Sequence, residues 1–136
     1  MRPGKLRESF LRRADLWLVV LVSALVYLPL IGQFGYYRDD WHVAWAGWLF
    51  GPARIIDLHL IDRPVMGVLY SLAYTVLGDA PLAWQLYAFV LRAAGGLAFL
   101  WLLRLLWPER RLPAVLMAVL FVIYPGFLQM PTASAY

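Results

Sequence analysis

The chain is 136 residues long, 63% of its side chains are hydrophobic and 15% are charged, and it carries a formal net charge of +4 with no cysteine. So apolar a composition excludes an ordinary soluble domain and implies an all-α integral membrane protein. The missing cysteines exclude disulfides and thiolate metal sites. The basic residues are split among short segments that flank apolar runs, which excludes a nucleic-acid footprint and reports membrane orientation instead.

Residues 1–15 carry Arg2, Lys5, Arg7, Arg12 and Arg13 against Glu8 and Asp15, a basic tail that the positive-inside rule keeps in the cytoplasm. Residues 16–33 hold no charge and are nearly all apolar, long enough with their flanks to span a hydrocarbon core of about 30 Å as the first transmembrane helix. A cleaved signal peptide is the competing reading, but no small-x-small cleavage site follows Ile31; Gln33, Phe34, Gly35 and Tyr36 come instead.

Residues 34–82 then form an extracytoplasmic loop, with Arg38, Arg54 and Arg63 balanced by Asp39, Asp40, Asp57 and Asp62. Within it Trp41, Ala44, Trp45, Trp48 and Leu49 fall at helical spacing, so residues 40–50 read as a helix with one apolar stripe. Its three tryptophans suit the headgroup layer. Gly51-Pro52 breaks the chain, and residues 53–60 read as a further short surface element. The apolar run 64–77 lies between Arg63 and Gly78-Asp79, short for a span and the right length for a re-entrant or surface helix. Charge favours the second reading. If 64–77 stays outside, the next helix crosses inward and Arg104, Arg110 and Arg111 land in the cytoplasm.

The second span is expected over 83–106, a cytoplasmic turn over 107–111 bracketed by Pro108 and Pro113, and a third span over 112–130 that kinks or ends at Tyr124-Pro125-Gly126. Residues 131–136 fall outside again, and the chain reads as truncated there. The expected fold is therefore three transmembrane helices plus interfacial and short re-entrant or surface helices in the first outer loop, in a multi-pass protein of the bacterial cytoplasmic membrane with its N-terminus inside.

Chemistry gathers at Tyr36-Tyr37-Arg38-Asp39-Asp40-Trp41-His42. One aspartate suffices to cap the helix that follows, stabilising its positive end. The other is open to general-base catalysis on a hydroxyl, or Asp40 to holding a divalent metal cation on a phosphate leaving group. His42 either orients an aspartate or is simply interfacial. Arg38, His42 and Arg63 are candidates for binding substrate or phosphate. Asp57, His59 and Asp62 have metal-ligand chemistry without a recognisable spacing. Arg92 falls near the middle of the second span, where an unpaired charge costs about 2.5–3.5 kcal/mol on insertion scales. It is expected to meet an anion, either a carboxylate of this chain or a lipid-borne phosphate. Gly95 and Gly96 beside it are small enough to admit another helix.

The order of these features resembles the N-terminal part of the GT-C class of membrane glycosyltransferases. It runs through a basic tail, one span, Asp39-Asp40 in the first outer loop, Arg63-Pro64 opening a short apolar helix, Gly78-Asp79, a long helix, a basic turn and Tyr124-Pro125-Gly126-Phe127. Within the class it is most similar to the bacterial group of protein mannosyltransferase-like and aminoarabinose transferase-like enzymes. The resemblance implies transfer of a sugar from a polyprenyl-phosphate donor to a hydroxyl acceptor, a glycan, lipid or protein, on the extracytoplasmic face. Asp39 then matches the catalytic base, Asp40 its acidic neighbour, and Arg92 an arginine of the second span in some members. That family has many more spans and a second acidic motif after the third. A small non-catalytic membrane subunit, a degenerate fragment, or part of a transporter using Arg92 and the acidic loop are the other classes.

Overall fold

The computed structural model describes residues 3–36 and 40–124, with side chains from Arg13 onward. Every regular element among them is helical: α1 Pro3–Tyr27, a single 3-10 turn over Ile31–Gln33, α2 Asp40–Phe50, α3 Ala53–His59, α4 Pro64–Leu77, α5 Pro81–Leu106 and α6 Arg111–Ile123. Proline opens α1, α4 and α5, where its missing N–H would lack an intrahelical partner anyway. Glycine closes α2 and α4. Gly51 and Gly78 take φ of +83° and +62°, a region that costs a side chain, and their amides donate to the carbonyls of Gly47 and Tyr74 at 3.0 and 2.8 Å.

Two runs are long and apolar enough to cross a membrane, Arg13–Gln33 and Pro81–Leu106, while Pro64–Leu77 and Arg111–Ile123 are shorter apolar helices. The expected boundaries hold for 40–50 and 64–77. Elsewhere they shift, α5 beginning at Pro81 rather than 83. The basic tail is itself helical from Pro3. The first helix stops at Tyr27, because Leu28 precedes Pro29 and a residue before proline is driven out of the helical region. The third run ends as a helix at Ile123, for the same reason at Tyr124-Pro125, and its expected remainder lies outside the described residues. Among the described residues, then, two helices have membrane length.

The chain divides into two compact units, one of Met1–Pro29 with Phe89–Phe127, the other of Leu30–Ala88 with Leu128–Tyr136. In the first, α1 packs on α6. A Cβ on Gly96 would come within 2.6 Å of Val122 Cγ2 and 3.2 Å of Val19 Cγ1, whereas one on Gly95 would meet nothing within 4 Å. Gly96 alone thus serves the close approach expected of the pair. The Tyr27 hydroxyl donates to the Val122 carbonyl at 3.2 Å. At one end of these helices Asp15 takes two arginines: Arg111 at 2.6 and 2.8 Å, and Arg104 through a short bond to the same carboxylate. In the second unit α3 packs on α4, and α2 on both. Their close contacts are made over small residues. A Cβ on Gly47 would run into the Tyr74 ring, and one on Gly67 would sit 3.1 Å from the Ile56 backbone.

Candidate functional site in the loop unit

Asp40 is the first residue of α2 and is 1% exposed. A carboxylate so placed lies at the positive end of the α2 dipole, which offsets part of the desolvation that burial imposes. Around it the unit is built from aromatic rings. Val43, Ala46, Ile55, Tyr70, Trp84 and Ala88 form the core, with Tyr36, Met66, Tyr74, Leu77 and Tyr87 packed against it. Trp84 is 2% exposed. Its indole N–H donates to the Gly78 carbonyl at 2.9 Å, and the ring meets those of Tyr70 and Tyr87 edge-on at 6.3 and 6.1 Å. A large buried ring with its one polar atom satisfied gains from both packing and hydrogen bonding.

Two phenols sense the Asp40 charge. Burial pushes the Tyr36 hydroxyl up to about 12, and the negative charges of Asp79 and Asp40 and the neighbouring Tyr74 act in the same direction. Burial likewise raises Tyr70, with Arg63 opposing and Tyr87 and Asp40 reinforcing. Both stay protonated at neutral pH. The Tyr36 hydroxyl donates to the Asp79 backbone carbonyl at 2.5 Å, and its ring meets Trp41 edge-on at 5.4 Å. Gln85, buried, reaches back to the Gly35 carbonyl at 3.4 Å. These two bonds tether the segment that leads into the acidic pair.

The expected tryptophan stripe is real but faces outward. Trp41, Trp45 and Trp48 are 60%, 55% and 71% exposed, while Asp40, Val43, Ala44, Ala46 and Gly47 are buried. With Tyr36, Ala44 and Asp79 they line a shallow groove of about 230 Å³.

The other predicted residues fall out as follows. Arg38 and Asp39 lie outside the described residues. His42 is exposed where Asp40 is buried. Arg63 caps α4, is about half exposed and pairs with Asp62 at 3.3 Å; its charge reaches Tyr70. Arg92 belongs to the other unit, where its guanidinium lies over the Tyr27 ring, 5.1 Å from the centroid, a cation–π contact. His59 is engaged locally, its Nδ1 at 2.9 Å from the Ile55 carbonyl and its ring against Tyr70. Asp57 pairs with Arg54 at 3.1 Å.

Among the described residues no three His, Asp or Glu side chains gather as metal ligands. Asp40 is the one buried carboxylate described in its unit. Tyr36, Tyr70, Asp79 and Trp84 were not singled out individually by sequence reasoning. Tyr70 was findable, since Gly67, Tyr70 and Ser71 line the buried face of α4 at helical spacing. No protein family, characterised protein or solved structure matches the chain.

Proposed function

We propose that this chain is the N-terminal portion of a bacterial inner-membrane glycosyltransferase. It would move a sugar from a polyprenyl-phosphate donor to a hydroxyl acceptor at the extracytoplasmic surface, with Asp39 as general base. The observation that supports this reading is the burial of one member of the acidic pair. Asp40 is buried at the head of α2 and enclosed with two protonated phenols, so it is committed to holding the start of that helix. The base that meets an acceptor hydroxyl is then its neighbour.

Other features agree with a bilayer setting. Two helices have membrane length and apolarity, and the α2 tryptophans are exposed as a headgroup-layer helix requires. In this reading α4 stays on the outer side and the turn before α6 is cytoplasmic. Arg63, half exposed beside Tyr70, is the cation assigned to a donor phosphate in this reading. In the mechanism Asp39 removes the acceptor proton as the hydroxyl oxygen attacks the anomeric carbon, and the polyprenyl phosphate leaves. No step is routed through a metal.

The test is sugar transfer by membranes that carry the full-length protein. Asp39→Asn is expected to lower turnover by about 10²- to 10⁴-fold, the usual contribution of a general base, with membrane insertion unchanged; retained turnover sinks the assignment. A non-catalytic membrane subunit is the second reading: with Asp40 buried the acidic pair serves structure alone, Asp39→Asn is tolerated, and a stable partner copurifies.

A further inference from the structure

The end of α5 and the start of α6 carry three arginines, and they are not equivalent. Asp15 engages Arg104 and Arg111. Arg110 is left over: no carboxylate among the described side chains lies within ion-pairing distance of it, the adjacent Glu109 included. It also caps α6, which puts a cation at the positive end of a helix dipole, an unfavourable placement that an anion would relieve. Beside it Trp107, Pro113, Ala114 and Met117 complete a groove of about 350 Å³. The groove has one cationic end and an otherwise apolar and aromatic wall. Beyond Met117 the apolar surface runs on through exposed Leu120, which follows Pro113 and Met117 on the same helical face.

We propose that this groove binds an anionic phospholipid. Arg110 takes the headgroup phosphate, Trp107 sits at the glycerol level and one acyl chain lies along Pro113, Met117 and Leu120. The charge pattern selects the ligand. A guanidinium with no carboxylate partner among the described side chains matches a phosphate, an indole beside it suits the bilayer interface, and basic residues next to a membrane helix attract anionic lipid. Asp15 is part of the device, because by engaging Arg104 and Arg111 it confines the available charge to one point. The site rests on the bilayer setting proposed above but not on sugar transfer.

The experiment is native mass spectrometry of the full chain in bilayer discs of phosphatidylcholine with a minor fraction of phosphatidylglycerol, after a flotation assay with phosphatidylcholine vesicles. Phosphatidylglycerol is expected to be retained in excess of its share. Arg110→Gln should lower that retention about five-fold, the effect of removing one cation close to an anionic headgroup. Met117→Trp, which fills the groove from an exposed position, should lower it similarly. Arg13→Gln, an exposed arginine outside the groove, should leave it unchanged. No excess of phosphatidylglycerol, or equal losses for Arg13→Gln and Arg110→Gln, overturns the site while flotation upholds the membrane setting. A chain that does not float overturns both.

Discussion

The two compact units are made from much the same apolar residues, yet they are held by different means. The unit of α1, α6 and the second part of α5 relies on small-residue contact and one ionic clamp: Gly96 lets Val19 and Val122 close in, and Asp15, its side chain 8% exposed, ties Arg104 and Arg111 together. The loop unit has short helices that cannot stabilise themselves, and it substitutes a cluster of large rings, of which Tyr36 and Trp84 place their polar tips on backbone carbonyls. The comparison teaches that what a helix packs against decides which device is needed. The 13 residues of α6 lie along α1 and need only register and one end fixed, whereas α2, α3 and α4 pack on one another and need a core of rings.

The largest break in that comparison is expected from Trp84→Ala. It removes the central ring of the loop unit, its contacts to Tyr70 and Tyr87 and a hydrogen bond to Gly78, for a loss of about 4 kcal/mol. Hydrogen exchange should show the loss of protection confined to α2, α3 and α4, with α1 and α6 unaffected.

The complementary variant is Asp15→Asn. It leaves Arg104 and Arg111 without their carboxylate, at a cost of about 3 kcal/mol, the low end for breaking a buried ion pair because Arg111 is 44% exposed. Exchange protection should fall in α1 and α6 and stay intact in α4.

Gly96→Ala and Gly95→Ala sharpen the close-packing half of the contrast. The first pushes a Cβ into Val122 and the second enters open space. Gly95→Ala gains helix propensity and Gly96→Ala loses more than it gains, so the two should differ by about 2 kcal/mol in denaturant unfolding.

Tyr36→Phe is the mildest, costing about 1 kcal/mol for the bond to the Asp79 carbonyl. It also has a pH signature. The folded phenol titrates at about 12 against an ordinary value of 10.0, so its contribution is complete below pH 10 and is lost as pH rises from 10 towards 12. Unfolding midpoints across that window should fall less steeply for Tyr36→Phe than for the parent chain.

Much of this architecture is legible in the order of residues along the chain. Helices at 40–50 and 64–77 follow from hydrophobic period and from Gly51, Pro64 and Gly78, which act on the backbone locally whatever surrounds them. Arg92 stands out as a charge in an apolar run, but its partner does not, because the Tyr27 face lies 65 positions away in sequence from it and periodicity carries no information about which ring a guanidinium covers. The candidate site is legible as a stretch and not as an arrangement. Asp39-Asp40 is visible as a pair, while the burial of Asp40 brings it near Tyr36 and Tyr70, which come from two other segments.

By itself, then, the sequence determined the helical class, the two runs of membrane length, the breaks between helices and the concentration of acid at the head of α2. These are properties of composition and local backbone preference. Only the tertiary structure decided that the tryptophans of α2 turn outward while its small residues turn in, that Gly96 rather than Gly95 meets its neighbours, and that Asp15 binds two of the three arginines near the turn and leaves Arg110. Those outcomes depend on which faces meet, and the meeting of faces is settled by packing between residues far apart in the chain.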